Sequence, residues 1–176
     1  MMEMSSRKRV IITGLPGVGK TTVIRKIVEA LKPSHPVGFY TAEIRDKGAR
    51  KGFELIALDG RRGLLSHIDI KSQHRVGKYG VDIDAFETFL EAIDLLNPAH
   101  GVVIIDEIGK MECLSAKFRE TIVRLFESDK TIIATAALAG GGLIEDVKHR
   151  PGVTVVEVTI HNRNTIAGEI INLQTR

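Results

Sequence analysis

Gly14-Leu15-Pro16-Gly17-Val18-Gly19-Lys20-Thr21 has the residue types and the spacing to hold a polyphosphate. It fits the pattern G-x-x-x-x-G-K-[ST] without a gap, and each fixed position has a physical task. Gly14, Gly17 and Gly19 carry no side chain, so successive backbone N–H groups can converge on an anion in conformations that glycine adopts freely. Lys20 is placed to reach the β- and γ-phosphates. The Thr21 hydroxyl is a hard ligand suited to Mg2+, and Thr22 continues a helix whose positive dipole end faces the same phosphates.

A second constellation closes the apolar run Gly101-Val102-Val103-Ile104-Ile105 with two carboxylates, Asp106 and Glu107. Asp106 at a strand end can orient Mg2+-bound water while Thr21 and phosphate oxygens supply the other ligands. Adjacent strand residues face opposite ways, so Glu107 is expected toward the γ-phosphate, where a carboxylate can polarise an attacking water. That arrangement points to hydrolysis. Transition-state charge needs a further cation, and Arg163, Lys110, Arg75 and Arg45 are candidates that spacing does not rank. Thr135, at the end of the next apolar run, reads as a strand-end threonine before it reads as a γ-phosphate sensor. Cys113 reads as a small buried apolar residue, and the six histidines show no metal-ligand spacing.

These groups need elements to position them. Val10 to Thr13 reads as a buried strand before the loop. Val23, Ile24, Ile27, Val28 and Leu31 mark one face of the following helix, which Pro33 ends. Residues 37–44 and 52–58 are expected as an antiparallel hairpin whose charged tip, 45–51, is exposed. The polar, Gly-rich stretch 59–82 has two readings: a cover over a nucleotide, or a solvated connection. Asp84 is expected to cap a helix with Phe86, Phe89, Leu90 and Ile93 on one face, closed by Asn97-Pro98. The run 101–107 is unbroken by alternation, as in the buried middle of a parallel sheet. Leu114, Phe118, Ile122 and Leu125-Phe126 mark a further helix; 131–135 and 153–158 read as strands, 136–142 as an Ala/Gly-rich loop, 143–149 as a short helix. A last helix over 164–173 puts Ile166, Ile170 and Leu173 inward. Strands alternating with helices predict an α/β fold with a mostly parallel central sheet and ligands at the carboxyl ends of its strands.

The chain as a whole sets bounds. Its 176 residues suit one domain over 1–176, which buries about 70% of the unfolded surface. A content of 43% apolar and 27% charged residues describes an ordinary globular chain, and no run is long enough for a membrane span. The basic N-terminal stretch with Arg7, Lys8 and Arg9 leads into a first strand, so a signal peptide is not expected. A lone Cys113 rules out an internal disulfide and fits a reducing, cytoplasmic setting. Net charge is +3, 5% of residues are aromatic and there is no Trp, so nucleic acid is not indicated. Oligomeric state is left open with a monomer favoured.

Taken together, VIITGLPGVGKTT, GFYTAEIRDKGARKGFELIALDG, HRVGKYGVD, VVIIDEIGKME and VTIHNRN resemble the THEP-type nucleoside-triphosphatases, the cancer-related nucleoside-triphosphatases of animals. The resemblance runs from Arg9 to about Leu173. It implies a three-layer P-loop fold of RecA-like type with a β-hairpin addition, and Mg2+-dependent hydrolysis of ATP, GTP and other triphosphates with loose base selectivity. It also implies that Gly14 to Thr22 hold the phosphates and that Asp106-Glu107-Ile108-Gly109 lie beside them. Lys110, Met111 and Glu112 complete that motif, and Asn162-Arg163 match a C-terminal pair whose role the motif does not explain. Ala136 to Gly142 depart from the polar or basic residues that relatives carry there, which places phosphate contacts from that loop in doubt.

Three classes of function remain open on the residues alone. The leading one is a triphosphate hydrolase with Lys20 and Glu107 as catalytic groups. A nucleotide or small-molecule kinase is the second, with Arg61, Arg62 and Arg75 available to a lid. The third is a nucleotide-dependent switch or RNA-binding protein, although no N-K-x-D guanine-reading motif occurs.

Overall fold

The computed structural model describes residues 8–174, so Arg7 of the basic N-terminal stretch lies outside the described residues. Strand β1 (Arg9–Thr13) leads through the glycine-rich loop into helix α1 (Lys20–Leu31). Pro33 does end α1, as a single tight turn over Lys32–Ser34. Strands β2 (Val37–Asp46) and β3 (Ala49–Ala57) form the expected hairpin, and both run further toward its tip than residues 44 and 52.

The stretch 59–82 is neither a cover nor a structureless connection. It folds into β4 (Arg62–His67), β5 (Arg75–Val76) and β6 (Tyr79–Val81), antiparallel strands that extend the sheet away from β2. Its apolar pieces are short because only one edge is being built, with Leu65 and Val81 as buried anchors.

Helix α2 (Ile83–Ile93) starts two residues earlier than expected. Asp82 is the cap, its carboxylate accepting the Ala85 N–H at 2.9 Å, and Asp84 lies in the first turn. The helix also stops before Asn97-Pro98, because Asp94 adopts a left-handed conformation at φ 45° and donates its N–H to the Leu90 carbonyl. Strand β7 (Val102–Ile108) follows, then α3 (Ala116–Glu127), whose cap is Ser115 and which therefore begins after Leu114. The chain ends with β8 (Thr131–Ala136), α4 (Leu143–His149), β9 (Val153–Glu157) and α5 (Ile166–Gln174). In α5 Ile166 and Ile170 are buried but Leu173 is 44% exposed, contrary to its expected inward place.

Among the described residues the nine strands belong to one sheet in the order β5-β6-β4-β3-β2-β7-β8-β1-β9. The segment β2-β7-β8-β1-β9 is parallel throughout, the RecA-like arrangement expected, and the hairpin addition grows into an antiparallel extension. Parallel strands buried on both faces explain the unalternating runs. Ile11, Val103 and Ile105 pack beneath α2 and α3, while Val10, Ile12 and Ile104 pack beneath α1 and α5. Phe39 makes edge contacts with Phe86 and Phe89, at centroid distances of 6.2 and 5.7 Å, and so ties β2 to α2. Among the described residues no helix is long and apolar enough to cross a membrane.

Candidate active site

The carboxyl ends of β1, β8, β7 and β2 open into one cavity of about 980 Å3, and the chemistry-bearing residues meet there. Gly14, Gly17 and Gly19 take φ values of 147°, 75° and 114°, so the loop has the left-handed backbone that glycine tolerates. A Cβ at Gly14 would stand 2.6 Å from the Val158 carbonyl, where the loop leans on the segment after β9. Helix α1 starts at Gly19 with no side-chain cap and no acidic residue in its first turn. Its first N–H groups and dipole are thus left for an anion. Lys20 Nζ donates to the Gly14 and Leu15 carbonyls at 3.0 and 3.3 Å, poised over the loop.

Asp106 is 2% exposed, and both its oxygens are held: Oδ2 accepts from Thr21 Oγ1 at 2.6 Å and Oδ1 from Thr135 Oγ1 at 2.5 Å. Burial pushes its carboxyl up from the ordinary range, while the two hydroxyls and the charge of Lys20 pull the other way. Thr135 therefore positions Asp106, a role beyond a strand-end threonine. Thr21 and Asp106 present hard oxygen donors side by side, and among the described residues no group of three or more His, Cys, Asp or Glu is arranged for a metal. Two protein oxygens completed by phosphate oxygens and water are a donor set that suits Mg2+.

Glu107 does not simply face the opposite side from Asp106. The pairing of β7 with β8 passes from Ile105↔Ala134 to Ile108↔Ala136, so three residues of β7 span two of β8. Within this bulge both carboxylates line the cavity. Burial first, and then the charge of Asp106, raise the Glu107 carboxyl. Glu112, 4% exposed on the turn that follows, is a carboxylate whose place the motif did not reveal; burial and the neighbouring Glu107 push it up to about 8. A Cβ at Gly109 would stand 2.7 Å from Glu107 Oε1 and 2.8 Å from Glu112 Oε2, so glycine leaves the room in which the two carboxyls meet. Cys113 beside them is raised to about 11 by burial, which suits the inert apolar role expected of it.

The candidate cations separate. Lys110 lines the cavity. Arg45 is tied to Glu43 and the Gly48 carbonyl at the hairpin tip. Arg75, bonded to the Ile70 and Lys78 carbonyls, belongs to the far sheet extension, as do Arg61 on Asp59 and Arg62 on Glu54. No lid of arginines is brought to the cavity from 59–82. Arg163 lies against the loop from the other flank, its Cδ 3.9 Å from where a Cβ at Gly19 would stand. Asn162 explains that placement, because its side chain accepts from the Thr159 N–H and donates to the Glu157 carbonyl, both at 2.8 Å, and so braces the turn after β9. The Ala-rich loop after β8 supplies Ala137, Leu138 and Ala139 as an apolar lip.

Sequence reading passed over Arg25, Thr41, Glu43, Arg50 and Phe53, which complete the cavity. Only Arg25 carried a signal, four residues after Thr21 and so on the same helix face. The others come from a hairpin whose charges read as an exposed tip.

A family described as NTPase matches residues 9–171 of the chain. The nucleoside-triphosphatase THEP1 of Thermotoga sp. (strain RQ2) is 42% identical over 166 residues, covering 94% of each chain. The human cancer-related nucleoside-triphosphatase is 40% identical over 182 residues, covering 93% of this chain and 95% of its own. The crystal structure of THEP1 from Aquifex aeolicus superimposes with a TM-score of 0.86 at 36% identity, over 96% of this chain and 99% of that one.

Proposed function

The chain belongs to the NTPase family, and from that premise we propose that it is a Mg2+-dependent nucleoside triphosphatase, releasing nucleoside diphosphate and phosphate from ATP, GTP and other triphosphates. The observation that carries this reading is the closure of the Thr21 hydroxyl on the Asp106 carboxylate at 2.6 Å, between the uncapped start of α1 and Glu107.

In this reading the backbone N–H groups of Gly14 to Thr22, across Leu15, Pro16, Val18 and Lys20, cradle the phosphates, and Lys20 swings its ammonium from the loop carbonyls onto the γ-phosphate side. Thr21 and Asp106 would hold Mg2+, which would neutralise the charge that develops on the phosphate oxygens. Thr135 keeps Asp106 oriented. Glu107 orients a water in line with the γ-phosphate and takes its proton, a task suited to a carboxyl whose affinity for protons burial has raised. Ile108 and Gly109 carry the chain past this point and leave the carboxyl its space. Arg163 packs beside Gly19, and in this reading it holds the nucleotide from that flank, with the nucleoside directed toward it. Loose base selectivity agrees with relatives named for nucleoside triphosphates without a base. A lone thiol, Cys113, agrees with a cytoplasmic setting.

Glu107→Gln keeps the shape and removes the base. Its expected outcome is unchanged affinity for a non-hydrolysable triphosphate and kcat lowered by roughly 10²- to 10⁴-fold, measured by phosphate release. Turnover near that of the unmodified protein would overturn the assignment of Glu107.

A further inference from the structure

The cavity extends well beyond the phosphate loop. Glu107 acts, on the reading above, at the γ-phosphate end of a bound triphosphate, so the nucleoside leaves toward Gly19 and Arg163 on the β1 and β9 side. On the other side of Glu107 the sheet continues through β2 and β3, and their side chains wall the rest of the cavity. Arg25, Arg50 and Lys110 bring positive charge to this part of the cavity, beside the carboxylate of Glu43, and the charge of Arg25 also reaches Asp106. Arg50 spends its charge on Glu43 at 2.9 Å and lies over the Phe53 ring at 5.5 Å. Arg25 is held by the Tyr40 ring, 4.7 Å from its centroid, which fixes the guanidinium by its face and leaves its N–H edge to a ligand. Neither Arg25 nor Lys110 makes a contact ion pair among the described residues, and the one charge interaction of Arg25 is the longer-range one with Asp106. Phe53 and the 40% exposed Leu138 add apolar surface beside these cations.

We propose that this wall is a second ligand site, beyond the γ-phosphate, for a small phosphomonoester: its phosphate on Arg25 and Lys110, its organic part against Phe53 and Leu138. Two unpaired cations match a phosphate dianion, and charge-assisted bonds to phosphate are among the strong ones. Apolar surface next to them is what separates an organic phosphate from the bare ion. The proposal rests on the triphosphatase reading, because that reading sets which way the nucleotide runs.

The test is calorimetric titration of the full chain already saturated with Mg2+ and a non-hydrolysable imido analogue of ATP. Ribose 5-phosphate, ribose and inorganic phosphate are the three probes. One equivalent of ribose 5-phosphate is expected to bind, ribose not at all, and inorganic phosphate clearly more weakly. Arg25→Met is expected to weaken ribose 5-phosphate by about tenfold or more, the value of one charge-assisted bond, and to weaken the analogue, through Asp106, clearly less. Three results overturn the site: no ribose 5-phosphate binding at millimolar concentration, inorganic phosphate binding as tightly, or Arg25→Met costing the analogue as much as it costs the sugar phosphate. In the last case the wall belongs to the nucleotide itself. Failure of the triphosphatase reading shows separately, as absence of analogue binding before any probe is added. The comparison of probes uses the unmodified protein, so it does not depend on a variant folding.

Discussion

Glu112 sits 4% exposed beside Glu107, and a carboxyl so placed has a stability signature in pH. Its value is about 8 in the folded chain against an ordinary 4.5, so between those limits the native state holds a proton that the unfolded state has lost. Stability is therefore highest below the lower limit and falls as pH rises toward 8. Glu112→Gln removes that slope. In metal- and nucleotide-free protein the variant is expected to melt near the unmodified temperature at pH 5 and on the order of 5 °C above it at pH 8.5, by circular dichroism. An equal difference at both pH values would show that Glu112 carries its charge throughout. At this scale the sequence was uneven. Lys20, Thr21 and Asp106 were legible because one motif and one strand end define them. Glu112 and Thr135 were visible as residues but not in their roles, and Arg25 only by its spacing from Thr21, because their chemistry comes from whom they touch: Thr135 is an ordinary strand-end residue until its hydroxyl meets Asp106 29 positions away.

Strand β2 is the element that joins the two halves of the sheet, parallel to β7 on one side and antiparallel to β3 on the other. Gly38 makes the parallel contact possible: at φ 147° a Cβ there would stand 1.7 Å from the Ile104 carbonyl oxygen. Gly48 at the hairpin tip has a positive φ of 80° and nothing within 4 Å. Both substitutions to Ala strain the backbone, but only one collides. Gly38→Ala is expected to cost about 3 kcal/mol or more and Gly48→Ala about 1, by urea unfolding. Similar costs at the two sites would sink the account of the β2–β7 contact. Apolar runs and helical periodicity made most elements legible. The strands of 59–82 escaped because they are short edge pieces with few apolar residues. Asp82 and Asp84 lay two positions apart, and only the observed N–H contact selects the cap.

For the whole molecule, the site is a joint between elements, so occupying it should tighten the fold. Saturation with Mg2+ and the imido analogue at about 100 times Kd adds roughly 2.7 kcal/mol. A chain of this size should then melt about 5 to 10 °C higher, a shift expected to vanish in Lys20→Ala. An equal rise in both proteins would move binding away from the phosphate loop. The sequence by itself determined what is local: eight contiguous residues whose glycines, lysine and threonine suit a phosphate cradle, strands that must be buried on both faces, and a carboxylate pair at a strand end. Hydrophobic periodicity and glycine backbone freedom act within a few residues, so they can be read along the chain. The tertiary structure alone decided which side chains face one another: Thr21 on Asp106 across 85 residues, a bulge that turns Glu107 into the same cavity, and a hairpin that supplies its far wall. Those meetings depend on strand order and register, which sum contacts over the entire sheet and leave no mark at any single position.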